Sequence, residues 1–111
     1  MNNFELAIAC FLVAALLGIY LLSFVLRGKE TRKGIALLHA PFAAGGLIFL
    51  AIHILANDET RLYPALGLFV VTALGGFYMF AKDITGHRVP KWLALVHGTA
   101  AASSLVLLFV L

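Results

Sequence analysis

Charged residues and cysteines are scarce in this chain. Only 12% of its 111 residues are Asp, Glu, Lys or Arg, whereas 63% are hydrophobic, and the mean hydropathy is +1.05. A soluble domain of this length has too little interior to bury so much apolar surface. The single cysteine, Cys10, excludes an intrachain disulfide, and its position inside an apolar run indicates a small packing residue.

The apolar residues fall in four runs of about 20 residues or slightly more. Beyond Glu5, no run contains a Lys, Arg, Asp or Glu. Each run can cross a hydrocarbon core of roughly 30 Å as a helix, which satisfies its own backbone hydrogen bonds in lipid. We therefore predict an all-α membrane protein, with residues 1–111 forming a single four-transmembrane-helix bundle in the lipid bilayer. The runs are Phe4–Leu26, Ile35–Leu55, Leu62–Ala81 and Trp92–Leu111.

The basic residues are concentrated in two of the three predicted loops. Seven of the eight lie between helices 1 and 2 or between helices 3 and 4, and only Arg61 lies between helices 2 and 3. The positive-inside rule makes the two basic loops cytoplasmic, so both termini are expected to face outward from a bacterial-type cytoplasmic (inner) membrane. The net charge of +3 is thus a topology signal and does not indicate nucleic-acid binding.

One stretch of the sequence occurs twice. A shift of 58 positions places His39 on His97 and Lys33 on Lys91 without a gap. We interpret the chain as a tandem duplication of a two-helix hairpin, with repeat 1 over residues 5–53 and repeat 2 over residues 63–111. Two copies with two spans each insert in the same orientation and pack about a pseudo-twofold axis along the membrane normal. Further pairs in this register are Gly18 and Gly76, Tyr20 and Tyr78, and Gly28 and Gly86.

The duplicated histidines are the main functional candidates. His39 and His97 lie at the same depth, roughly 6–8 Å inside their apolar runs, where a polar group is costly unless it has a partner. Two imidazoles that face each other across a bundle axis are the arrangement required for bis-His ligation of a haem iron. Pro41, one turn into helix 2, predicts a kink or a late helix start near His39.

Small, aromatic and basic residues complete the predicted cofactor site. Small residues leave a groove beside each imidazole, glycines thin helices 1 and 3, tyrosines reach a similar level, and lysines stand at the cytoplasmic rim where haem propionates need cations. The residues are Ala43, Gly46, Ala101, Ser104, Gly18, Gly76, Tyr20, Tyr78, Lys33 and Lys91, with Arg32 beside them.

A third histidine adds to the pattern. His53 lies 14 residues beyond His39, about 21 Å along the helix and on nearly the same face. The histidines of helices 2 and 4 thus resemble the ligand pattern of the membrane cytochromes b, which hold haems between histidines of a four-helix bundle. The resemblance implies haem b at His39 and His97 and electron transfer, with a quinone or a redox protein as partner. The repeat counterpart of His53 is Leu111, so a second site would need a ligand from another chain, as in a homodimer.

The same residues are compatible with other functions. A small four-helix transporter or channel could use His39 and His97 as proton-linked groups. A structural or assembly subunit of a larger membrane complex would use the same residues for hydrogen bonding and close helix packing. No catalytic constellation beyond redox chemistry is evident.

Overall fold

The protein is all-helical, as a computed structural model that describes residues 1–111 shows. Four helices, α1 (Asn3–Leu26), α2 (Lys33–Asn57), α3 (Tyr63–Ile84) and α4 (Lys91–Val110), are joined by short loops, and a 3-10 turn at Thr60–Leu62 leads into α3. All four are long and apolar enough to cross a membrane. The predicted four-helix, multi-pass architecture is therefore confirmed at this level.

The helices follow one another around the bundle. Each packs against its neighbours in the chain, and α1 also packs against α4. Consequently α2 and α4 lie diagonally across the axis, as do α1 and α3. The bundle measures 43 × 23 × 19 Å. We call the end that carries residues 27–32 and 85–90 the basic end, and the end that carries both termini and residues 57–62 the terminal end.

The helix boundaries have local causes. At the start of α1, the Asn2 side chain accepts a hydrogen bond from the Glu5 backbone N–H at 2.8 Å, and the Glu5 carboxylate accepts one from the Asn2 N–H at 3.3 Å. After α1 and α3 the backbone turns at Gly28 (φ 68°) and Gly86 (φ 82°), a left-handed conformation that favours glycine. These two glycines therefore allow both basic loops to turn sharply.

Pro41 does not delay the start of α2. The helix begins at Lys33 and continues through the proline to Asn57, so the expected late start near His39 was wrong. Proline lacks the N–H that would reach the Leu37 carbonyl. The loss of one backbone hydrogen bond is small beside the many that a span of this length retains.

The tightly packed core is centred on two stacked phenyl rings. Phe11 of α1 and Phe69 of α3 lie parallel, with ring centroids 3.9 Å apart. They come from diagonal helices and therefore fill the bundle axis. Gly46 of α2 makes room for one of them, because a Cβ added there would lie 2.6 Å from the Phe11 ring. The other buried members of this cluster, all toward the terminal end, are Ala7, Leu50, Ile54, Leu62, Ala65 and Leu108.

The core geometry predicts opposite effects for two glycine substitutions. Gly46→Ala should destabilise the folded bundle by about 1–3 kcal/mol, because the added methyl group overlaps the Phe11 ring. Gly67→Ala should be neutral or slightly stabilising, since nothing lies within 4 Å of the added Cβ. Unfolding of both variants in detergent, followed by circular dichroism, measures the difference; equal stabilities would contradict the Phe11–Gly46 contact.

Candidate functional site

Two histidines face each other across the bundle axis. His39 of α2 and His97 of α4 are partly buried, and their ring centroids lie 6.4 Å apart with an angle of 71° between the rings. Because α2 and α4 are diagonal, each imidazole reaches inward from its own side. The sequence placed the two residues at one depth, and the structure brings them together.

Each imidazole is anchored to the backbone of the preceding helix. His39 Nδ1 lies 2.8 Å from the Ala14 carbonyl oxygen of α1, and His97 Nδ1 lies 2.9 Å from the Thr72 carbonyl oxygen of α3. A carbonyl oxygen only accepts, so in both cases Nδ1–H must donate. In the neutral imidazole, Nε2 then carries the free lone pair, which is the atom available to a metal.

Two glycines allow this close approach. A Cβ added to Gly18 of α1 would lie 3.1 Å from His39 Cε1, and one added to Gly76 of α3 would lie 2.7 Å from His97 Cε1. Both glycines are four residues after the carbonyl that accepts the hydrogen bond, so they lie on the same helix face. The predicted thinning of helices 1 and 3 at these glycines therefore serves to seat the imidazole rings.

The half of the bundle around the histidines contains no large buried apolar side chain. Its buried residues are small, whereas all the large ones belong to the Phe11 cluster toward the terminal end. The two partly buried imidazoles thus lie in the half of the bundle whose other buried residues are small. The small buried residues there are Ala14, Ala36, Thr72 and Ala94.

The predicted groove residues have mixed environments. Gly46 is occupied by the Phe11 ring, and Ser104 is fully buried with its hydroxyl donating to the Ala100 carbonyl at 2.8 Å. Ala43 and Ala101 are half-buried. The part of the predicted groove nearest the terminal end is therefore closed by Phe11 at Gly46, and Ala43 and Ala101 lie nearer the histidines along their helices.

The two tyrosines lie away from the histidines. Tyr20 is 40% exposed and packs edge-on against Phe24, whereas Tyr78 is 53% exposed with the Lys82 ammonium 5.6 Å from its ring centroid. Each follows its histidine-facing glycine by two residues, which is about 200° around the helix. The structure therefore places both side chains on the outer surface of the bundle.

The lysines at the basic end differ in their partners. Lys33 Nζ lies 2.7 Å from Asp83 Oδ1, and the Thr31 hydroxyl donates to Asp83 Oδ2 at 2.5 Å. Lys91 borders a cavity between the two basic loops, and no carboxylate pairs with it. Asp83 therefore neutralises one of the two lysines that lie 58 positions apart at the starts of α2 and α4.

His53 belongs to a separate group at the terminal end. Its ring lies 5.0 Å from that of Phe4, and its Nε2 lies 3.7 Å from Glu59, which also forms an ion pair with Arg61 at 2.8 Å. Asn57 donates to the His53 carbonyl at 3.0 Å. His53 thus faces residues of the α2–α3 connection, and none of these contacts involves another histidine.

The 6.4 Å between the ring centroids of the facing histidines is compatible with two imidazoles on one metal. Two metal–imidazole bonds of about 2 Å, with about 1 Å from each bound nitrogen to its ring centre, would separate the ring centres by about 6 Å. Nowhere in the structure do three or more His, Cys, Asp or Glu side chains lie close enough together to bind one metal ion. A metal that needs four protein ligands is therefore poorly served here, whereas haem brings four equatorial nitrogens of its own.

Sequence reasoning missed the groups that anchor the histidines. The Ala14 and Thr72 carbonyls are backbone atoms, so no side-chain pattern marks them. The available signal was positional, since each lies one turn before a glycine of the repeat. Phe11 and Phe69 also matched in the repeat, but only the structure shows that their rings stack.

Comparisons with protein-family models, with curated proteins and with solved structures found no match to this chain.

The carbonyl contacts predict the tautomer of both histidines. In ¹⁵N-histidine-labelled protein without bound metal, at a pH where the imidazoles are neutral, the spectra of His39 and His97 should show a protonated Nδ1 and an unprotonated Nε2. His39→Gln and His97→Gln assign the two sets of signals. Protonation at Nε2 in either residue would contradict the anchoring described above.

Proposed function

We propose that this protein is a small membrane cytochrome b that holds one haem b between His39 and His97. The observation that carries the proposal is the facing pair of imidazoles, each with Nδ1–H donated to a carbonyl and Nε2 left free. A second hydrogen bond that fixes the tautomer and raises ligand basicity is the usual companion of a metal-bound histidine. The buried residues near the pair are small, which supports the proposal.

Bound haem would supply one-electron redox chemistry, and the chain's own residues would bind and orient it. The carbonyls of Ala14 and Thr72 hold the rings in place, while Gly18 and Gly76 keep their edges unobstructed. With both His39 and His97 bound to the iron, haem would serve electron transfer and would not readily bind a gas. Apolar walls from the four helices would exclude water.

The remaining predicted contacts belong to the same proposal. Ala43 and Ala101, one turn beyond the histidines on α2 and α4, would contact the haem, and Lys91, unpaired at the basic end, is the better placed of the two lysines for a propionate. Lys33 would have to share its charge with Asp83. Gly46 and Ser104 lie further toward the terminal end, where the Phe11 ring packs directly against Gly46.

We further propose that the chain arose by duplication of a two-helix hairpin, with a pseudo-twofold axis along the bundle. Several contacts recur at the offset of 58 residues. The histidine–carbonyl bonds, the histidine–glycine contacts and the positive-φ loop glycines all do so. The stacked phenylalanines, Phe11 and Phe69, are themselves an offset pair that meets on the axis.

The proposed setting is a bacterial-type cytoplasmic membrane with the basic loops inside and both termini outside, as the charge distribution favours. The histidines then lie nearer the inner surface. One haem at that depth cannot carry an electron across the whole membrane, so a quinone or a redox protein would be its partner. In a homodimer, a second copy of the chain could supply the other ligand for a second haem at His53.

The optical spectrum of the purified protein is the direct test. Oxidised and dithionite-reduced samples should show a strong Soret band and sharp reduced α and β bands, as a low-spin haem b does. His39→Ala and His97→Ala should each abolish haem binding, whereas His53→Ala, the matched histidine control, should retain the haem. A protein that stays colourless after growth with added haem, and after haem titration, would remove the proposal and favour proton-linked transport or a structural role.

A glycine pair tests the positioning of His97 more finely. Gly76→Ala should lower haem affinity by about 10- to 100-fold, since its methyl group displaces a ring that the Thr72 carbonyl holds. Gly75→Ala, one residue away with nothing within 4 Å of the added Cβ, should bind haem normally. Titration of the haem-free proteins with haem measures both affinities, and equal values would show that Gly76 has no part in seating the ring.

A further inference from the structure

A cavity of about 570 Å³ opens at the basic end, between the two basic loops. The α1–α2 loop contributes Lys29 and the α3–α4 loop contributes Arg88, so both hairpins line it. The loops approach each other closely at one point, where Arg88 Nη1 would lie 3.8 Å from a Cβ added to Gly28. The cavity is thus a feature of the assembled bundle and of neither loop alone.

The side chains around the cavity leave an excess of positive charge. Lys29, Arg88 and Lys91 line it without forming a salt bridge. Of the two acidic residues in its wall, Asp83 is engaged by Lys33 and Thr31, and Glu30 pairs with no cation. Three unpaired cations around one cavity attract an anion more strongly than any of them would alone.

Two helix N-termini add to this charge. α2 begins at Lys33 and α4 begins at Lys91, and both residues line the cavity. Neither N-terminus has a side-chain cap, so their first backbone N–H groups have no side-chain acceptor. The two parallel helices therefore direct the positive ends of their dipoles toward the same region.

Apolar side chains also line the cavity. Val25 and Ile84, in the last turns of α1 and α3, line it together with Val89 of the α3–α4 loop. Val25 and Ile84 belong to membrane-spanning helices, whereas Lys29 and Arg88 lie in the loops. The cavity thus combines cationic and apolar side chains, which suits a molecule that carries an anionic group on apolar chains.

We propose that this cavity binds the phosphate of an anionic phospholipid headgroup. Basic pockets between transmembrane helices commonly hold such headgroups. Lys29 and Arg88 would contact the phosphate, and the acyl chains would leave past Val25 or Ile84. This inference does not rest on the proposed haem site, because the rim cations and the cavity are present whatever His39 and His97 bind.

Native mass spectrometry of the detergent-purified protein tests the proposal. Titration with phosphatidylglycerol should give one tightly bound lipid, whereas phosphatidylcholine, with no net charge, should bind much more weakly. The double variant Lys29→Gln/Arg88→Gln should bind phosphatidylglycerol about 30-fold more weakly, as expected for the loss of two basic groups. Circular dichroism checks that the variant keeps its helices.

Matched controls separate the cavity from general surface charge. Arg27→Gln/Arg32→Gln removes the same number of charges from the same end of the bundle, at residues that do not line the cavity. It should leave lipid binding nearly unchanged. Equal weakening by the two double variants, or equal binding of the two lipids, would overturn the proposal.

Two further measurements identify the molecule that occupies the cavity. Free glycerol phosphate should not displace the lipid at concentrations at which phosphatidylglycerol saturates, and displacement would point to a soluble phosphate ligand instead. The His39→Ala variant should retain the preference for phosphatidylglycerol. Much stronger binding of phosphatidylglycerol to this haem-free variant than to the wild-type protein would assign the cavity to haem propionates and overturn the lipid proposal.

Discussion

The hydrogen bond from an imidazole N–H to a carbonyl of the preceding helix is the constraint on which the middle of this bundle depends. Within hydrocarbon, an unpaired N–H is costly, so each histidine needs an acceptor close by. The Ala14 and Thr72 carbonyls supply it. The same bond requires a residue without a Cβ one turn later, and it leaves the second ring nitrogen free. A single hydrogen bond therefore anchors each ring, brings the two helices close together and leaves Nε2 available to a metal.

The two halves of the bundle differ in how their interiors are packed. Toward the terminal end, the stacked Phe11 and Phe69 and the large aliphatic residues around them form a dense core. Toward the basic end, the buried residues are small, and Thr31 and Lys33 form polar contacts with Asp83 of α3. Dense packing toward the terminal end stabilises the scaffold and holds the helices in register. The half with the histidines can then contain small buried residues without loss of the fold.

The sequence was sufficient for the number, length and order of the helices, because apolar runs bounded by charged loops have few alternatives in a membrane. It also paired His39 with His97 at one depth. It did not settle which helices are diagonal, since short loops allow more than one order. The outward direction of Tyr20 follows from its angle relative to Gly18, which depth alone does not reveal. The Ala14 and Thr72 carbonyls could not be predicted as hydrogen-bond acceptors, because every residue has a backbone carbonyl and the residue type does not mark it.

Asp83 makes the two halves of the protein inequivalent. At the offset of 58 residues its counterpart is Val25, so only one of the lysines Lys33 and Lys91 has a carboxylate beside it. Under the proposed near-twofold symmetry, a flat molecule bound on the axis could otherwise enter in either of two orientations of equal energy. Because one side presents a neutralised cation and the other a free one, this single carboxylate would favour one of the two orientations.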